Sequence, residues 1–251
     1  MSNSAFSSLS EFIEGKQQQG PLIDARSDAS EFSLPTPSVA VGELLGTLAA
    51  AAGSAGAAGA GAAGSAGAAG AGAAGSAGAA AGPATGAVAI TPAAGVVGLH
   101  ILAGLPEKAS LTYIDPEADH QARAKVAFRD AGYGASRARF LPSRPLDVLG
   151  RLATGAYHLV YADVDPVDLP AVVEAAWPLL SPGGTLVLSG SLLDATITDP
   201  TRKDRATLAA READELVDKL AAGEAEGFEG ESAVVTRLPL DSGITLVTRR
   251  A

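Results

Sequence analysis

Downstream of Pro83 the chain alternates short apolar runs with helix-length segments, and that alternation leaves few folds open to it. The apolar runs are Ala87–Thr91, Leu111–Ile114, Ala138–Leu141, Tyr157–Tyr161 and Thr185–Ser189. Between them lie helical patterns over Val96–Leu105, Pro116–Ala131, Leu146–Leu152 and Leu169–Leu180, and a Ser181-Pro-Gly-Gly184 turn precedes the fifth run. Strands joined through crossover helices run parallel with right-handed connections, so both faces of the sheet are covered. The pattern changes at the C-terminus. A charged helix is expected over Thr201–Ala222, with Leu208, Glu212, Leu216 and Leu220 in one row whose leucines pack inward. Two strands then follow directly, Ala233–Leu240 and Ile244–Thr248, and their short connection through Asp241-Ser-Gly243 implies a hairpin. The expected class is α/β, with five parallel strands closed by an antiparallel pair.

The rest of the 251 residues contributes less to a core. From Leu44 through Pro106 there is no Asp, Glu, Lys or Arg, and Gly53–Gly82 is almost pure glycine and alanine. The unit GSAGAAGAGAA starts at Gly53, recurs at Gly64 and begins again at Gly75, a period of eleven. Such units have nothing larger than alanine to bury against a neighbour, so a disordered surface insertion is expected, the alternative being a silk-like stacking segment. The chain therefore divides into N-terminal helices over 1–52, the insertion at 53–83 and a folded domain at 84–251. The N-terminal helices are expected at Ser4–Lys16, Ile23–Phe32 and Val39–Ala52, the last capped by Ser38.

Charge and composition remove several classes. The net charge is -10 and no basic cluster stands out, which argues against a nucleic-acid partner. Absent cysteine excludes disulfides and thiolate chemistry. Residues 86–105 are uncharged over the length of a membrane span, but Pro92, His100 and several glycines interrupt them, so strand, turn and helix are expected instead. MSNSAFSSLS lacks a basic start followed by an apolar run, so no signal peptide is expected and the protein is read as cytoplasmic, without a membrane partner.

Ligands of open parallel sheets sit beyond the carboxyl ends of the strands, near the point where strand order reverses. That rule selects the turn Thr91-Pro-Ala-Ala-Gly95, whose small residues let a ligand approach the backbone and the following helix N-terminus. Asp115 could accept hydrogen bonds from a ribose diol, Ser143 and Arg144 could meet a purine edge, and Asp163 and Asp165 follow the fourth strand. Each has a plainer reading: close packing for the turn, helix capping for Asp115-Pro116 and Asp165-Pro166, and a solvated charge for Arg144. His100, His120 and His158 show no metal-binding spacing, and His158 is expected to pack inside a strand.

In order, these features form a pattern. Ser38 and Gly42-Glu-Leu-Leu45 precede Ala87-Val-Ala-Ile-Thr-Pro-Ala-Ala-Gly95, Leu111-Thr-Tyr-Ile-Asp115 and Tyr157-His-Leu-Val-Tyr-Ala-Asp163. Leu179-Leu-Ser-Pro-Gly-Gly184 and Arg237-Leu-Pro-Leu-Asp-Ser-Gly-Ile-Thr-Leu-Val247 complete it. From Pro35 onward, the insertion apart, the chain resembles the S-adenosylmethionine-dependent O-methyltransferases typified by catechol and caffeoyl-CoA O-methyltransferases, closest to an actinobacterial branch. The resemblance implies a Rossmann-like fold with a seven-stranded sheet, S-adenosyl-L-methionine as cofactor, a small-molecule phenol or catechol as methyl acceptor, and a homodimer. It places Thr91, Ala93, Gly95 and Asp115 at the cofactor and makes Asp163 the family's metal-binding aspartate. With Ser143 and Arg144 from the strand-end rule these, and Asp163, form the expected cofactor site, and in a chain without the metal Asp163 is the expected general base.

Departures from the family pattern set further expectations. Ala89 stands where the family has an acidic residue, Thr91 and Ala93 replace two loop glycines, and Pro166 replaces a lysine. Gly190 and Ser191 replace an Asp-Asn pair that ligates a divalent metal. A methyltransferase without a metal is therefore expected, with Asp165 and Asp194 the remaining carboxylates to consider. The same departures keep a second reading open, a catalytically degenerate member acting as a ligand-binding or partner module.

Overall fold

The computed structural model describes residues 2–16, 20–60 and 86–250. Three helices come first: α1 (Ser2–Glu14), α2 (Pro21–Glu31) and α3 (Val39–Ala60). A regular alternation follows, through β1 (Gly86–Ile90), α4 (Ala94–Gly104), β2 (Ser110–Ile114), α5 (Ala118–Asp130) and β3 (Ala138–Leu141). It continues with α6 (Pro145–Val148), β4 (Tyr157–Ala162), α7 (Leu169–Ala176) and β5 (Leu180–Leu188). The chain ends with α8 (Arg205–Ala222), β6 (Ala233–Leu238) and β7 (Ile244–Arg249).

The seven strands form one sheet in the order β3-β2-β1-β4-β5-β7-β6. The first five are parallel, and β7 pairs antiparallel with both β5 and β6. Alternate residues feed two cores, as a sheet covered on both faces requires. Ala87, Ala89, Leu111, Tyr113, Leu159 and Tyr161 pack with Leu45, Ile101 and Phe128 of α3, α4 and α5. Val88, Ile90, Ile114, Val160 and Leu186 pack with Val173, Ala213 and Val217 of α7 and α8. Glycine permits the close approach of α3 and α4. A Cβ on Gly42 would lie 2.2 Å from the His100 ring, and one on Gly104 would lie 1.9 Å from the Gly46 carbonyl.

Several boundaries differ from the sequence reading. Helix α3 runs to Ala60, past the start of the repeat at Gly53, consistent with alanine being the best helix former; the remainder of the repeat lies outside the described residues. Helix α5 starts at Ala118 rather than Pro116, because the Asp115 side chain engages the Glu117 N–H and holds the chain in a turn. Pro145–Val148 and Leu169–Ala176 are shorter than expected, each continuing as a 3-10 turn; beyond Ala176, Pro178 lacks the N–H that an α-helix would use. Strand β5 begins at Leu180, so Ser181–Gly184 is a bulge within it: Tyr157 pairs with Leu180 and Leu159 with Thr185. In α8 the inward row is Ala210, Ala213, Val217 and Leu220, whereas Leu208 is exposed at 45%. Leu216 and Leu220 of the expected row do pack into this core beside α7, and of its leucines Leu208 alone turns outward. Among the described residues no helix is long and apolar enough to cross a membrane.

Candidate active site

Strand order reverses between β2 and β4, which flank β1 on opposite sides. Ile90 is in register with Ile114 on one side and Ala162 on the other. The next residues, Thr91, Asp115 and Asp163, therefore leave the sheet at one level. Three of the expected site positions become neighbours by this register alone.

Hydrogen bonds tie two of them together. The Thr91 hydroxyl donates to Asp163 Oδ2 at 3.1 Å and accepts from the Ala93 N–H at 3.2 Å. One side chain thus fixes both the first turn and the carboxylate of β4. No side chain caps α4, whose N-cap position is Ala93. Its leading amides meet a loop of small residues, a setting that favours negative partial charge.

Asp115 is differently placed. It is 5% exposed. Its Oδ1 accepts the Glu117 N–H at 2.6 Å, and its Oδ2 lies 3.1 Å from His120 Nδ1. Gln121 Nε2 donates to the Asp115 carbonyl. The capping interaction weighed for Asp115-Pro116 is thus present, although each carboxylate oxygen retains a second lone pair. Beside Asp115 on the same strand face, Tyr113 is fully buried, and burial foremost, followed by the charge of Asp115 and its approach to the hydroxyl, pushes the Tyr113 pKa up.

The other expected residues scatter. Gly95 faces α2 and α5, where a Cβ would touch Ala127 and Ala25 at ordinary distances. It lines a groove of about 540 Å³ between those helices, together with Pro92, Ala93, His120 and Arg123. Ser143 is half-buried, and its N–H returns to the Leu141 carbonyl. Arg144 is exposed, just before α6. Asp165 accepts the Val167 N–H and caps a short turn, the plainer of its two readings. Asp194 lies on a segment with left-handed backbone at Leu193, Asp194 and Ala195, lining a second groove with Arg211 and Arg237.

Asp241, which the sequence marks only as part of the hairpin turn, also belongs here. Its Oδ2 accepts the Ser38 N–H at 2.7 Å, across 203 residues of sequence. Its charge also reaches Asp163 and Tyr161. Burial, opposed by the Thr91 hydroxyl and reinforced by Asp241, pushes the Asp163 carboxyl above its ordinary pKa. Burial likewise pushes Tyr161 up. His100, beneath Gly42, is pushed down to about 4 by burial and then by the Arg26 charge, which makes it a neutral core residue.

The sequence and the fold are similar to those of known proteins. The chain is 37% identical over 166 residues to an O-methyltransferase of Mycobacterium sp. strain JLS, spanning 66% of this chain and 71% of that protein. It belongs to that O-methyltransferase family. An O-methyltransferase of Mycolicibacterium vanbaalenii is 38% identical over 66% of this chain and 69% of its own length. A crystal structure of a Corynebacterium glutamicum protein superposes with a TM-score of 0.80 at 47% identity, covering 98% of both chains. The Streptomyces achromogenes O-methyltransferase TomG, solved with S-adenosylmethionine, shares the fold at TM-score 0.72 and 20% identity, covering 97% of this chain and 96% of its own. No family model matches the chain.

The residues of this methyltransferase fit a divalent metal poorly. Among the described residues no group of three or more His, Asp or Glu is placed to hold an ion. Gly190 offers no side chain, and the Ser191 hydroxyl is shared with Thr245 Oγ1 at 2.8 Å inside the hairpin. Magnesium asks for near-octahedral oxygen coordination, and Asp163 and Asp241 alone leave most of that shell unfilled.

Proposed function

We propose that the protein transfers a methyl group from S-adenosyl-L-methionine to the hydroxyl of a small phenol- or catechol-like molecule, without a metal. The observation that carries this reading is the shared level of Thr91, Asp115 and Asp163 at the strand switch point, with Thr91 bonded to Asp163. The small-residue turn and the uncapped start of α4 suit a polar nucleoside ligand.

When bound, S-adenosylmethionine supplies a methyl on a positively charged sulfur. The chain's own residues then have three tasks. Thr91, Ala93 and Gly95 line the approach to the α4 N-terminus; Asp115 offers its remaining lone pairs to ribose hydroxyls; Ser143 and Arg144 border the place for the purine. Asp163 accepts the acceptor's proton, directly or through one water, and its raised pKa makes it a stronger base than an ordinary carboxylate. Orientation of donor and acceptor supplies roughly 7–11 kcal/mol of the barrier reduction in well-aligned reactions of this kind. No step passes through a metal.

Asp115 also supports a second reading. Because its carboxylate is already held by Glu117 and His120, the chain could bind a nucleoside poorly and serve as a non-catalytic module. One experiment separates the two. Titration calorimetry with S-adenosylmethionine, followed by a chelator-treated methyl-transfer assay across catechols and phenols, is expected to give binding and turnover. Folded protein that binds nothing at millimolar ligand overturns the cofactor assignment, and binding without turnover supports the non-catalytic module.

A further inference from the structure

The turn between β6 and β7 is rigid and aimed. Asp241, Ser242 and Gly243 all have left-handed backbone, at φ 47°, 61° and 99°. A Cβ on Gly243 would strike the Leu192 side chain at 2.3 Å, so the turn sits tight on the segment after β5. Ser191 closes the same junction by donating its N–H to the Gly243 carbonyl at 2.9 Å. On the far side, Asp241 holds the Ser38 N–H while Glu14 Oε1 accepts the neighbouring Val39 N–H. The start of α3 is thus clamped by two carboxylates from distant parts of the chain.

We propose that Asp241 is a specificity-determining residue of the methyl-donor site, which with Asp163 forms a two-carboxylate environment favouring a cationic sulfonium donor over its neutral thioether product. The proposal rests on the S-adenosylmethionine reading above and deepens it. Capping α3 needs only an acceptor oxygen, which Ser38 itself provides to the Val41 N–H. A charge does more, because it acts across space on whatever occupies the end of β4. Leu188 of β5 is in register with Ala162 of β4 on one side and Thr245 of β7 on the other, so the turn before β7 lies at the sheet end where Asp163 leaves β4. Burial foremost, with the Asp241 charge adding to it, pushes the Asp163 carboxyl up. The facing cation is Arg26, whose Nη1 donates to the Pro37 carbonyl at 2.8 Å and which stands between Glu14 and Asp241. Position 166, next to the β4 end, is a proline and supplies no charge. Methyl transfer removes the positive charge from sulfur, so the same carboxylates that hold the donor hold its product less well.

Asp241→Asn tests the charge and preserves the cap. Asparagine is isosteric, still accepts from Ser38, and tolerates left-handed backbone at least as well as aspartate. Titration calorimetry measures the dissociation constants of S-adenosylmethionine and S-adenosylhomocysteine for both proteins. Removing one carboxylate charge that acts through a partly screened separation is worth about fivefold in the ratio. The preference for the sulfonium ligand is therefore expected to fall about fivefold, with S-adenosylhomocysteine affinity changing less than about twofold. Equal weakening of both ligands, or an unchanged ratio, overturns the role of Asp241 alone. Failure of the native protein to bind either ligand overturns the cofactor reading beneath it.

Discussion

Replacing Thr91 with valine removes one hydroxyl and disturbs two groups at once. Valine keeps the volume and the β-branched shape, so the buried packing at this 2% exposed position is retained. The Ala93 N–H loses its acceptor, a loss of about 1–3 kcal/mol for a buried donor. The second effect depends on pH. Burial raises the pKa of Asp163 in the folded state and the Thr91 hydroxyl opposes that rise, so the valine variant has a higher folded pKa still. A carboxyl with a raised folded pKa binds its proton more tightly in the native state, so stability falls as pH climbs from the unfolded value through the folded one, and then levels off. In Thr91→Val this fall is larger and extends to higher pH, at about 1.4 kcal/mol per unit of added shift. Urea unfolding at about pH 4 and about pH 8 checks it. The destabilisation relative to the native chain is expected to be at least about 1 kcal/mol greater at the higher pH. A pH-independent difference would refute the link between Thr91 and the Asp163 charge.

Other perturbations read out separate parts of the structure. Asp163→Asn leaves size and register intact and is expected to lower kcat by about 100-fold or more in a methyl-transfer assay while the thermal midpoint at neutral pH does not fall, since a buried charge is removed; near-native turnover excludes a general base at this position. Gly42→Ala drives a methyl group into the His100 ring, costing about 1–3 kcal/mol by denaturant unfolding, and His100→Ala in the same chain should recover part of that loss. Arg211 donates to the carbonyls of Ile197, Asp199 and Arg202, so Arg211→Ala should raise hydrogen exchange across residues 193–202 while β1 and β4 stay protected.

Much of the fold was legible because strand and helix periods differ and the chain keeps them apart. Five parallel strands and the closing hairpin follow from runs such as Leu111–Ile114 and Ile244–Thr248. Packing partners were less legible. Leu208 looks inward in an i+4 row, yet alanines at 210 and 213 allow α8 to approach α7, and that small-residue face turns Leu208 to solvent. At the site, register made Thr91, Asp115 and Asp163 neighbours once strand order was known. Asp115 illustrates the ambiguity of an Asp-Pro pair, since it serves its own turn through Glu117 while facing the switch point. Asp241 could not be found from local pattern. Asp in a Gly-containing turn is ordinary, and its bond to Ser38 exists only because the fold brings the β6–β7 turn against the start of α3.

The most direct test is a crystal structure of the protein with S-adenosylhomocysteine. Density for the nucleoside is expected over the ends of β1, β2 and β4, with the ribose at Asp115 and the sulfur toward Asp163. Ligand seated instead in the groove between α2 and α5, away from Thr91 and Asp163, would contradict it.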